Sequence, residues 1–597
     1  MKTILIWIGA TTLVFNISWQ PLLTLAEMPR RNNADKFSQA VPISGDFNYY
    51  FSLCNVLREQ RKYEAALSAC NQAINLKKRN ATLWAIRSDI LLNLGQSEEA
   101  LVSSLTALQI RSHHSLGLTE KCRSLSVLGH QDEAIAACNR ALEVNQNWGE
   151  FSPSLAWISR GLAQERKQEY PQALASFEGA LKLQGQNSLA LVSRCRVLSE
   201  IKQYEEAIVT CDRALQVNEN WGESFPAHAW FWRGVAFSRW GQFPEVLGSC
   251  ASTKMASPMV KTLTNECIKK NRQERLDAAI NSYEKAAETP LLSSLAWTQE
   301  GVILNELNRY AQARRVLESA LKIRPNYALA LVNLCETLNK LGNYQEALNA
   351  CEKALQGDGK WEQSSPAHAY LQQSQALAGL RRFEEALASA DRALSLKPNW
   401  AIAWNAKSVI LWQGQKYPEA LDASDRALEI APEYFQGWFN RGGILKAMQR
   451  DRDALLAYDR ALSSDLVLVP MASIVSVWVN RSAVFWRLGQ YQEALASANS
   501  AISIDPNSVS AWFNRGLSLE SMKEYEEAIK SYQRALLLDP KQINIWVAQG
   551  MAFFHLKRDQ EALNAFEEAL KIDPNYLPAK QNRDLLRGIL GSGTFTR

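Results

Sequence analysis

The stretch VSAWFNRGLSLESMKEYEEAIKSYQRALLLDPKQ, which runs from Val509 to Gln542, holds 34 residues and decides the fold of the chain. Two helical patterns lie in it, separated near Lys523 and closed by Pro540. The fixed points are Trp at the fourth place, Gly at the eighth, Ala at the twentieth and twenty-seventh, and Pro at the thirty-second. Small residues at these places let two antiparallel helices pack closely, while larger apolar groups fill the space between hairpins. The stretch therefore predicts a helical hairpin that must stack on its neighbours to bury its apolar side.

This spacing resembles the signature of the tetratricopeptide repeat (TPR) family. The twentieth residue is Ala in fourteen of fifteen units that share the 34-residue register, and the unit from Ala227 is the exception. The resemblance implies an all-α fold, a right-handed α-solenoid (superhelix) of about fifteen hairpins. The predicted units begin at Phe47, Ala81, Ser115, Ser154, Ser188, Ala227, Val260, Ser294, Ala328, Ala367, Ala401, Phe435, Val475, Val509 and Ile543.

The repeats are flanked by segments of other kinds. Residues 27–46 predict a flexible linker, 47–293 a Cys-rich first part of the array, and 294–576 a more regular second part. A capping helix is expected over 577–590, and residues 591–597 form a tail. The predicted apolar face of the capping helix consists of Leu577, Leu585, Leu586 and Ile589.

Residues 1–26 predict an export segment. Lys2 is followed by an almost wholly apolar run from Ile4 to Ile17, and Thr24-Leu25-Ala26 offers a small-residue cleavage site. A cleaved signal peptide is the leading interpretation, with an uncleaved membrane anchor and a buried helix of the fold as alternatives. The first two place the chain outside the cytoplasm, in the periplasm or another extracytoplasmic compartment, secreted or tethered by its N-terminus, where disulfides persist.

The ten cysteines fall into five couples. In four of them the residues occupy the eighth and twenty-fourth places, at the same level on the facing helices of one hairpin. Helix packing distances leave roughly 3.5–5.5 Å between such Cα atoms, and a disulfide needs about 4.4–6.8 Å. We expect disulfides; small buried thiols and a metal site are the alternatives. The couples are Cys54 with Cys70, Cys122 with Cys138, Cys195 with Cys211, Cys250 with Cys267, and Cys335 with Cys351.

Three loops between repeats are five residues longer than the others. They begin at Trp148, Trp221 and Trp361 and each ends in Pro. Insertions in a solenoid emerge on one edge, often a binding edge. Two interpretations stay open: loops packed by their own Trp and Pro, or exposed recognition loops.

A second binding candidate is the face of the first helices. Some TPR proteins hold a C-terminal carboxylate with Lys and Asn at the fifth and ninth places, and the residues here do not form that clamp. A groove lined in part by aromatic residues would suit an apolar or extended peptide instead. The candidates are Phe51, Phe231, Phe439 and Phe513.

Arginine or lysine often fills the seventh place, and several face an acid at the twenty-fifth place of the same unit. The spacing predicts ion pairs within a hairpin, which contribute little when exposed. The pairs are Arg160 with Glu178, Arg194 with Asp212, and Arg441 with Asp459.

Catalytic and metal-binding patterns are missing from the sequence. The 6 histidines form no HExxH motif, and there is no Gly-rich phosphate loop and no Gly-x-Ser-x-Gly. A net charge of +5 over 597 residues, without a basic cluster, disfavours nucleic acid. We therefore expect no cofactor and no small-molecule substrate, and a non-catalytic scaffold or assembly factor that binds proteins or peptides. The alternatives are an accessory module of an envelope enzyme complex and a nucleic-acid-binding or glycan-binding solenoid.

Overall fold

The computed structural model describes residues 45–222, 224–242, 258–361, 364–466 and 469–592. These residues are helical, with no strand among them, and the predicted all-α solenoid class is confirmed. The predicted linker, export segment and tail lie largely or wholly outside this part of the chain. Contacts divide the chain into two units between Pro325 and Asn326, one hairpin later than the change in repeat regularity at Ser294. We call residues 45–325 the front unit and residues 326–592 the back unit.

The front unit consists of seven hairpins, each made of two consecutive helices. Its helices are α1 (Phe47–Glu59), α2 (Tyr63–Leu76), α3 (Ala81–Asn93), α4 (Ser97–Ile110), α5 (Ser115–Val127), α6 (Gln131–Val144), α7 (Ser154–Arg166), α8 (Tyr170–Leu183), α9 (Ser188–Glu200), α10 (Tyr204–Val217), α11 (Pro226–Gln242), α12 (Pro258–Ala287), α13 (Ser293–Glu306) and α14 (Tyr310–Ile323). Hairpin 1 is α1–α2, and hairpin 7 is α13–α14.

The back unit consists of hairpins 8 to 14 and a single last helix. Its helices are α15 (Ala328–Leu341), α16 (Tyr344–Leu355), α17 (Pro366–Gly379), α18 (Phe383–Leu396), α19 (Ala401–Gln413), α20 (Tyr417–Ile430), α21 (Phe435–Ala447), α22 (Asp451–Ser463), α23 (Met471–Arg487), α24 (Tyr491–Ile504), α25 (Val509–Ser521), α26 (Tyr525–Leu538), α27 (Ile543–His555), α28 (Asp559–Ile572) and α29 (Leu577–Ser592).

About fifteen hairpins are predicted, and the described residues form fourteen. The units predicted from Ala227 and Val260 are a single hairpin, 6, because α12 runs unbroken for 30 residues. Arg233 Nη1 donates to Ser282 Oγ at 2.8 Å across 49 residues, whereas the same contact elsewhere spans 16 residues, as from Arg160 to Ser176. No Gly or Pro follows Pro258 within α12, so nothing in its sequence breaks the helix. The predicted second helix of the unit from Ala227 falls mostly outside the described residues.

One packing position is filled in three ways along the array. The eighth and twenty-fourth places face each other in every hairpin, and their residues change together. Six hairpins pair Gly with a large apolar or aromatic residue, four pair Ser with Ser or Ala, and four pair Cys with Cys. A Cβ on Gly161 would lie 2.6 Å from the Phe177 ring, so the ring occupies the space of the missing side chain. The pairing explains why the eighth place must stay small.

The fourth-place tryptophans join consecutive hairpins. The indole Nε1 of Trp404 donates to the carbonyl of Pro398 at 2.9 Å, and Trp438 donates to Pro432 at 2.7 Å. The acceptor is the thirty-second residue of the preceding hairpin, which ends the second helix. These tryptophans are half-buried, since one ring edge reaches solvent.

Candidate functional site

Four cysteine couples lie as disulfide bonds in the structure. The Cα atoms of Cys54 and Cys70 are 5.1 Å apart, and those of Cys122 and Cys138 are 5.4 Å apart. The Cα atoms of Cys195 and Cys211 are 5.5 Å apart, and those of Cys335 and Cys351 are 5.4 Å apart. Each couple joins the two helices of one hairpin, as the spacing predicts. The eight side chains are fully buried.

The bonding leaves these cysteines without a free thiol. Because Cys70, Cys138 and Cys211 are buried on second helices and bonded to the first helix of their own hairpin, none of them presents a thiol to a ligand. The bonded couples are structural cross-links and take no direct part in binding.

Only one member of the fifth couple lies in the described residues. Cys250 lies outside the described residues, so its geometry is not described. Cys267 lies on the first half of the long helix α12 and not on the first helix of a separate hairpin.

The seventh-place cations link neighbouring hairpins, which corrects the predicted pairs within a hairpin. Arg441 Nε lies 2.6 Å from Asp425 Oδ1, and Arg481 Nε lies 2.8 Å from Asp459 Oδ1. In both pairs the acid is the twenty-fifth residue of the preceding hairpin. Arg160 and Arg441 reach the same place of the preceding hairpin, at Asn139 and Asp425, and not Glu178 and Asp459. Arg194 lies 3.7 Å from Glu178 of the preceding hairpin and closer to Glu206 of its own hairpin, and not on Asp212.

Within the hairpin the same cations bind a hydroxyl. Arg160 Nε donates to Ser176 Oγ at 2.9 Å, and Arg481 Nη1 donates to Ser497 Oγ at 2.8 Å. Each guanidinium also lies against the fourth-place ring, with Arg160 Cζ 4.2 Å from the centroid of Trp157. The cations are therefore occupied by contacts within the protein, and we call this set the arginine ladder.

The ladder is interrupted at hairpin 7, where the seventh residue is Glu300. Its side chain is 4% exposed, and its Oε2 has no hydrogen-bond partner among the described residues. Burial, and then the charge of Glu284, raise the pKa of the Glu300 carboxyl to about 7. Glu284 is the twenty-fifth residue of hairpin 6, so two acids stand where other hairpins place a cation and an acceptor.

The first helices form the inner face of each unit, because those of successive hairpins contact one another directly. The prediction that Phe231 lines the groove is wrong. The residue is only 5% exposed, and its ring packs on Tyr283 with the ring centroids 5.6 Å apart. Phe51, Phe439 and Phe513 are half-buried on the inner face. Phe513 rests on its own hairpin's second helix, 6.0 Å from the Tyr532 centroid.

The structure adds residues to the groove that the sequence reading missed. Nine apolar residues at the fifth, ninth and twelfth places of α21, α23, α25, α27 and α29 form one inner stripe. Trp486 is 39% exposed and Leu585 is 61% exposed, and the others are half-buried. The members of this inner stripe are Phe439, Val479, Trp486, Phe513, Leu517, Val547, Met551, Phe554 and Leu585.

Charged groups near the inner stripe are paired inside the protein. Lys446 Nζ donates to Asn480 Oδ1 at 2.8 Å, and Glu520 accepts the Tyr532 hydroxyl at 2.5 Å. Burial lowers the pKa of Lys446 and raises that of Glu520. Charge recognition by these two groups is thus weak, and the stripe presents mainly apolar surface.

The capping helix packs through part of the predicted face, since Leu586 is buried as expected. Ala579 and Leu586 are buried, while Leu577 is 60% and Leu585 is 61% exposed. Leu577 and Leu585 occupy the first and ninth places of this helix. The side chain of Ile589 lies outside the described part.

The three long-loop tryptophans are half-buried. Trp148 Nε1 donates to Asn145 Oδ1 at 3.0 Å, and Trp221 Nε1 donates to Asn218 Oδ1 at 3.0 Å. Both Asn residues end a helix in the left-handed region, which Asn tolerates. The loops at Trp148 and Trp221 are therefore anchored at their start by the helix that precedes them.

His114, His228 and His368 make contacts within the protein. His114 accepts from the Gly117 backbone N–H at 3.0 Å, and burial lowers the pKa of its imidazole to about 4. Burial lowers the pKa of His228 to about 4 as well and lowers that of His368. In the residues that the structure describes, no three His, Cys, Asp or Glu side chains group as metal ligands. No helix of the described chain is both long and apolar enough to cross a membrane.

Models of the tetratricopeptide repeat match residues 122–188, 272–328, 371–435 and 439–509, 304–363, 509–542 and 543–576. Together these segments cover more than half of the chain. The chain belongs to the tetratricopeptide repeat family. This TPR protein is all-helical throughout its described residues, and its family is one of protein-interaction scaffolds.

Among curated proteins, the DnaJ homolog subfamily C member 7 homolog of Dictyostelium discoideum is 24% identical over 325 residues, 50% of this chain and 59% of that protein. Hsp70-Hsp90 organizing protein 1 of Glycine max is 23% identical over 247 residues, 40% of this chain and 41% of that protein. The TPR chain thus spans less than two thirds of either relative.

Among solved structures, the APC/C hetero-tetramer Cut9-Hcn1 has a TM-score of 0.45 at 13% identity, covering 91% of this chain and 96% of that one. Yeast Tom70 has a TM-score of 0.34 at 16% identity, covering 92% and 96%. These likenesses concern the repeat fold alone.

Proposed function

We propose that this TPR protein is a non-catalytic scaffold that binds an extended, apolar segment of a partner protein on the inner stripe of hairpins 11 to 14. The observation that carries the proposal is the exposure of apolar side chains at successive inner places, from Phe439 to Leu585. An apolar groove with few free charges fits a peptide that inserts side chains into gaps between first helices.

A peptide bound by its C-terminal carboxylate fits this surface poorly. The fifth and ninth places of the stripe hold Phe439 and Gly443, then Phe513 and Leu517, and none of these donates a charge. The nucleic-acid and glycan alternatives are disfavoured for a related reason. The guanidinium groups of the arginine ladder bind internal acceptors such as Asp459 and Ser497, so this row of arginines does not present free charges to phosphates.

The proposal also places the protein outside the cytoplasm. It rests on the N-terminal apolar pattern and on four buried cysteine couples at bonding distance. Protease protection of the protein in intact cells, compared with permeabilised cells, tests this part. Digestion only after the cytoplasm is opened would contradict it.

The groove is tested with a displayed library of twelve-residue peptides selected on the full chain, followed by fluorescence anisotropy of the selected peptides. We expect alternating apolar side chains in the selected sequences. Leu517→Asp should weaken binding by at least ~10-fold, because it places a charge in the apolar stripe. The matched control is Leu537→Asp, at a residue 74% exposed on the second helix α26, which should bind as the native chain does.

Two outcomes would contradict the proposal. An equal loss of peptide affinity in both variants would show that the introduced charge weakens binding by destabilising hairpin 13. Binding that is unchanged by Leu517→Asp would place the peptide elsewhere.

A further inference from the structure

Two contacts in the front unit depart from the rule that each hairpin of a solenoid touches only its neighbours. Arg61 Nη2, in the turn of hairpin 1, donates to the carbonyl of Gly222 at 2.7 Å across 161 residues. Arg58 Cζ, on α1, lies 4.5 Å from the ring centroid of Phe151, in the loop that follows hairpin 3. The long loops that begin at Trp148 and Trp221 therefore return to the first hairpin.

The loop 148–153 fills the inner face of hairpins 1 and 2. Phe151 packs against the apolar cluster that contains Leu83 and Ile86. Its neighbour Glu150 lies 3.9 Å from Arg58 Nη2. One guanidinium thus contacts the aromatic ring and the carboxylate of two consecutive residues.

Acidic and basic side chains of hairpins 2 and 3 hold the Arg58 side chain in place. Its Nη1 lies 3.7 Å from Asp89 Oδ2, and Asp89 Oδ1 in turn lies 2.6 Å from Arg123 Nη1. The Arg58 side chain is only 11% exposed. Such a chain of charges holds the guanidinium in one orientation, so a ligand meets a preformed site.

The loop that begins at Trp221 repeats the contact between a ring and a guanidinium, here on Arg61. Phe225 lies 4.8 Å from Arg61 Cζ, next to the Gly222 carbonyl contact. The starts of the two loops are alike, since Asn147 Nδ2 donates to the His113 carbonyl at 3.1 Å and Asn220 Nδ2 to that of Gln186 at 2.9 Å. Residue 223 lies outside the described chain.

The third long loop lacks the inserted ring. It reads WEQSSP from Trp361 to Pro366, with Ser364 and Ser365 where the other loops carry Phe151 and Phe225. The inserted phenylalanine is therefore specific to the two front-unit loops. A long loop can follow a cysteine-bearing hairpin without it.

We propose that the inner face of hairpins 1 and 2 is a second peptide-binding site, which the chain's own two loops occupy. Its ligand from another protein is an extended segment with an acidic residue directly before an aromatic one. That segment reproduces the Glu150–Phe151 contacts with Arg58 and displaces the loop. The site adds a regulated surface to the proposed scaffold function and uses none of the residues of the inner stripe.

The probe is a fluorescein-labelled synthetic peptide of residues 145–156, NQNWGEFSPSLA, measured by anisotropy against the full chain. The native chain should bind it weakly, because a tethered loop competes at an effective concentration on the order of millimolar. The double variant Phe151→Ser and Phe225→Ser, which copies the serines of the third loop, should bind at least ~10-fold more tightly.

Two further measurements fix the site. Adding Arg58→Ala to the double variant should abolish the gain, and a probe with Ala at positions 150 and 151 should bind at least ~10-fold more weakly. Equal affinity of the native chain and the double variant, or a gain that survives Arg58→Ala, would overturn the proposal and leave the loops as structural braces.

Folding is checked by circular dichroism and thermal melting. If the double variant does not fold, the single variant Phe151→Ser takes its place, since it removes the ring that contacts Arg58 and leaves the Phe225 loop intact. It should raise probe affinity by a factor of ~2–5, and no gain would overturn the proposal. Leu517→Asp should leave probe binding unchanged, so failure of the inner stripe and failure of this site give different results.

Discussion

Glu300 is buried at the seventh place of hairpin 7, where hairpins 2, 4, 5 and 6 carry arginine. The native state keeps its proton more tightly than the unfolded chain, because the pKa of the carboxyl is raised from 4.5 to about 7. Stability contributed by the protonated form is present below pH 4.5 and is lost as the pH rises to about 7. This residue therefore makes the junction of hairpins 6 and 7 weaker at neutral pH.

Glu300→Gln should remove that pH dependence. Relative to the native chain, the variant should gain stability steadily between pH 4.5 and 7, by up to about 3 kcal/mol at ~1.4 kcal/mol per pKa unit. Denaturant unfolding of the front-unit transition at pH 4.5, 6 and 8 measures the difference. The control is the exposed Glu64→Gln, and a Glu300→Gln effect independent of pH would contradict the assignment.

The shared eighth and twenty-fourth places give a second prediction for single residues. Gly161→Ala should destabilise the chain by about 1–2 kcal/mol, because overpacking costs about 1–3 kcal/mol and the helix propensity of Ala returns up to about 1 kcal/mol. Phe177 is fully buried, so its ring has little room to move aside. Gly588→Ala, where nothing lies within 4 Å of the added Cβ, should be neutral or stabilising in the same thermal unfolding assay; a stabilising Gly161→Ala would show that the ring can shift.

Between elements, the arginine ladder joins several hairpins, among them 11 and 12, to the one before. Asp459 discriminates the two possible pairings, since it lies 2.8 Å from Arg481 of the next hairpin, while Arg441 of its own hairpin contacts Asp425. A double-mutant cycle of Arg481→Ala with Asp459→Ala should give a coupling of about 0.2–1 kcal/mol. The cycle of Arg441→Ala with Asp459→Ala should give a coupling near zero, and the reverse ranking would restore the pairing within a hairpin.

The sequence predicted the helices well and their lateral contacts less well. Small residues such as Ala528 and Ala535 recur because two backbones must approach, so nearly every hairpin is visible in the sequence. The ladder is ambiguous, since Arg441 has acids 16 residues before it and 18 residues after it, Asp425 and Asp459. Only packing between hairpins decides between them.

The errors at hairpin 6 and in the groove have related causes. Val260 begins a stretch that matches the repeat register, but without a Gly or Pro the first and second helices predicted there merge into α12. Phe231 shares the fifth place with Phe439, yet it is buried while Phe439 is half-buried. The exposure of a residue at that place depends on how the neighbouring hairpin packs, and the residue spacing within one repeat does not show this.

For the whole molecule, cross-links are concentrated in the front unit. Three of the four described disulfides lie there, within hairpins 1, 3 and 5, and the back unit holds the bond between Cys335 and Cys351. The first five predicted units also lack the thirty-second-place proline, so the bridges reinforce hairpins that have weaker helix stops.

Reduction should therefore affect the two units unequally. Each 16-residue bridge contributes about 3 kcal/mol in the chain-entropy model, so dithiothreitol should lower the melting temperature of the front unit more than that of the back unit. Calorimetry of the full chain, with limited proteolysis to assign each transition, measures this. Thiol counting on unreduced protein is the companion assay, and ten reactive thiols would contradict the bridges.

Because different residue pairs fill the eighth and twenty-fourth places, a disulfide can be placed there in one hairpin or another. Ser408 and Ser424 occupy, in hairpin 10, the same facing positions that Cys335 and Cys351 occupy in hairpin 8. Two serine-to-cysteine substitutions could thus introduce a disulfide into a hairpin that has Ser at both places, and two cysteine-to-serine substitutions could remove one, without changing the backbone. Such a chain lets an experimenter decide where along its length rigidity is placed.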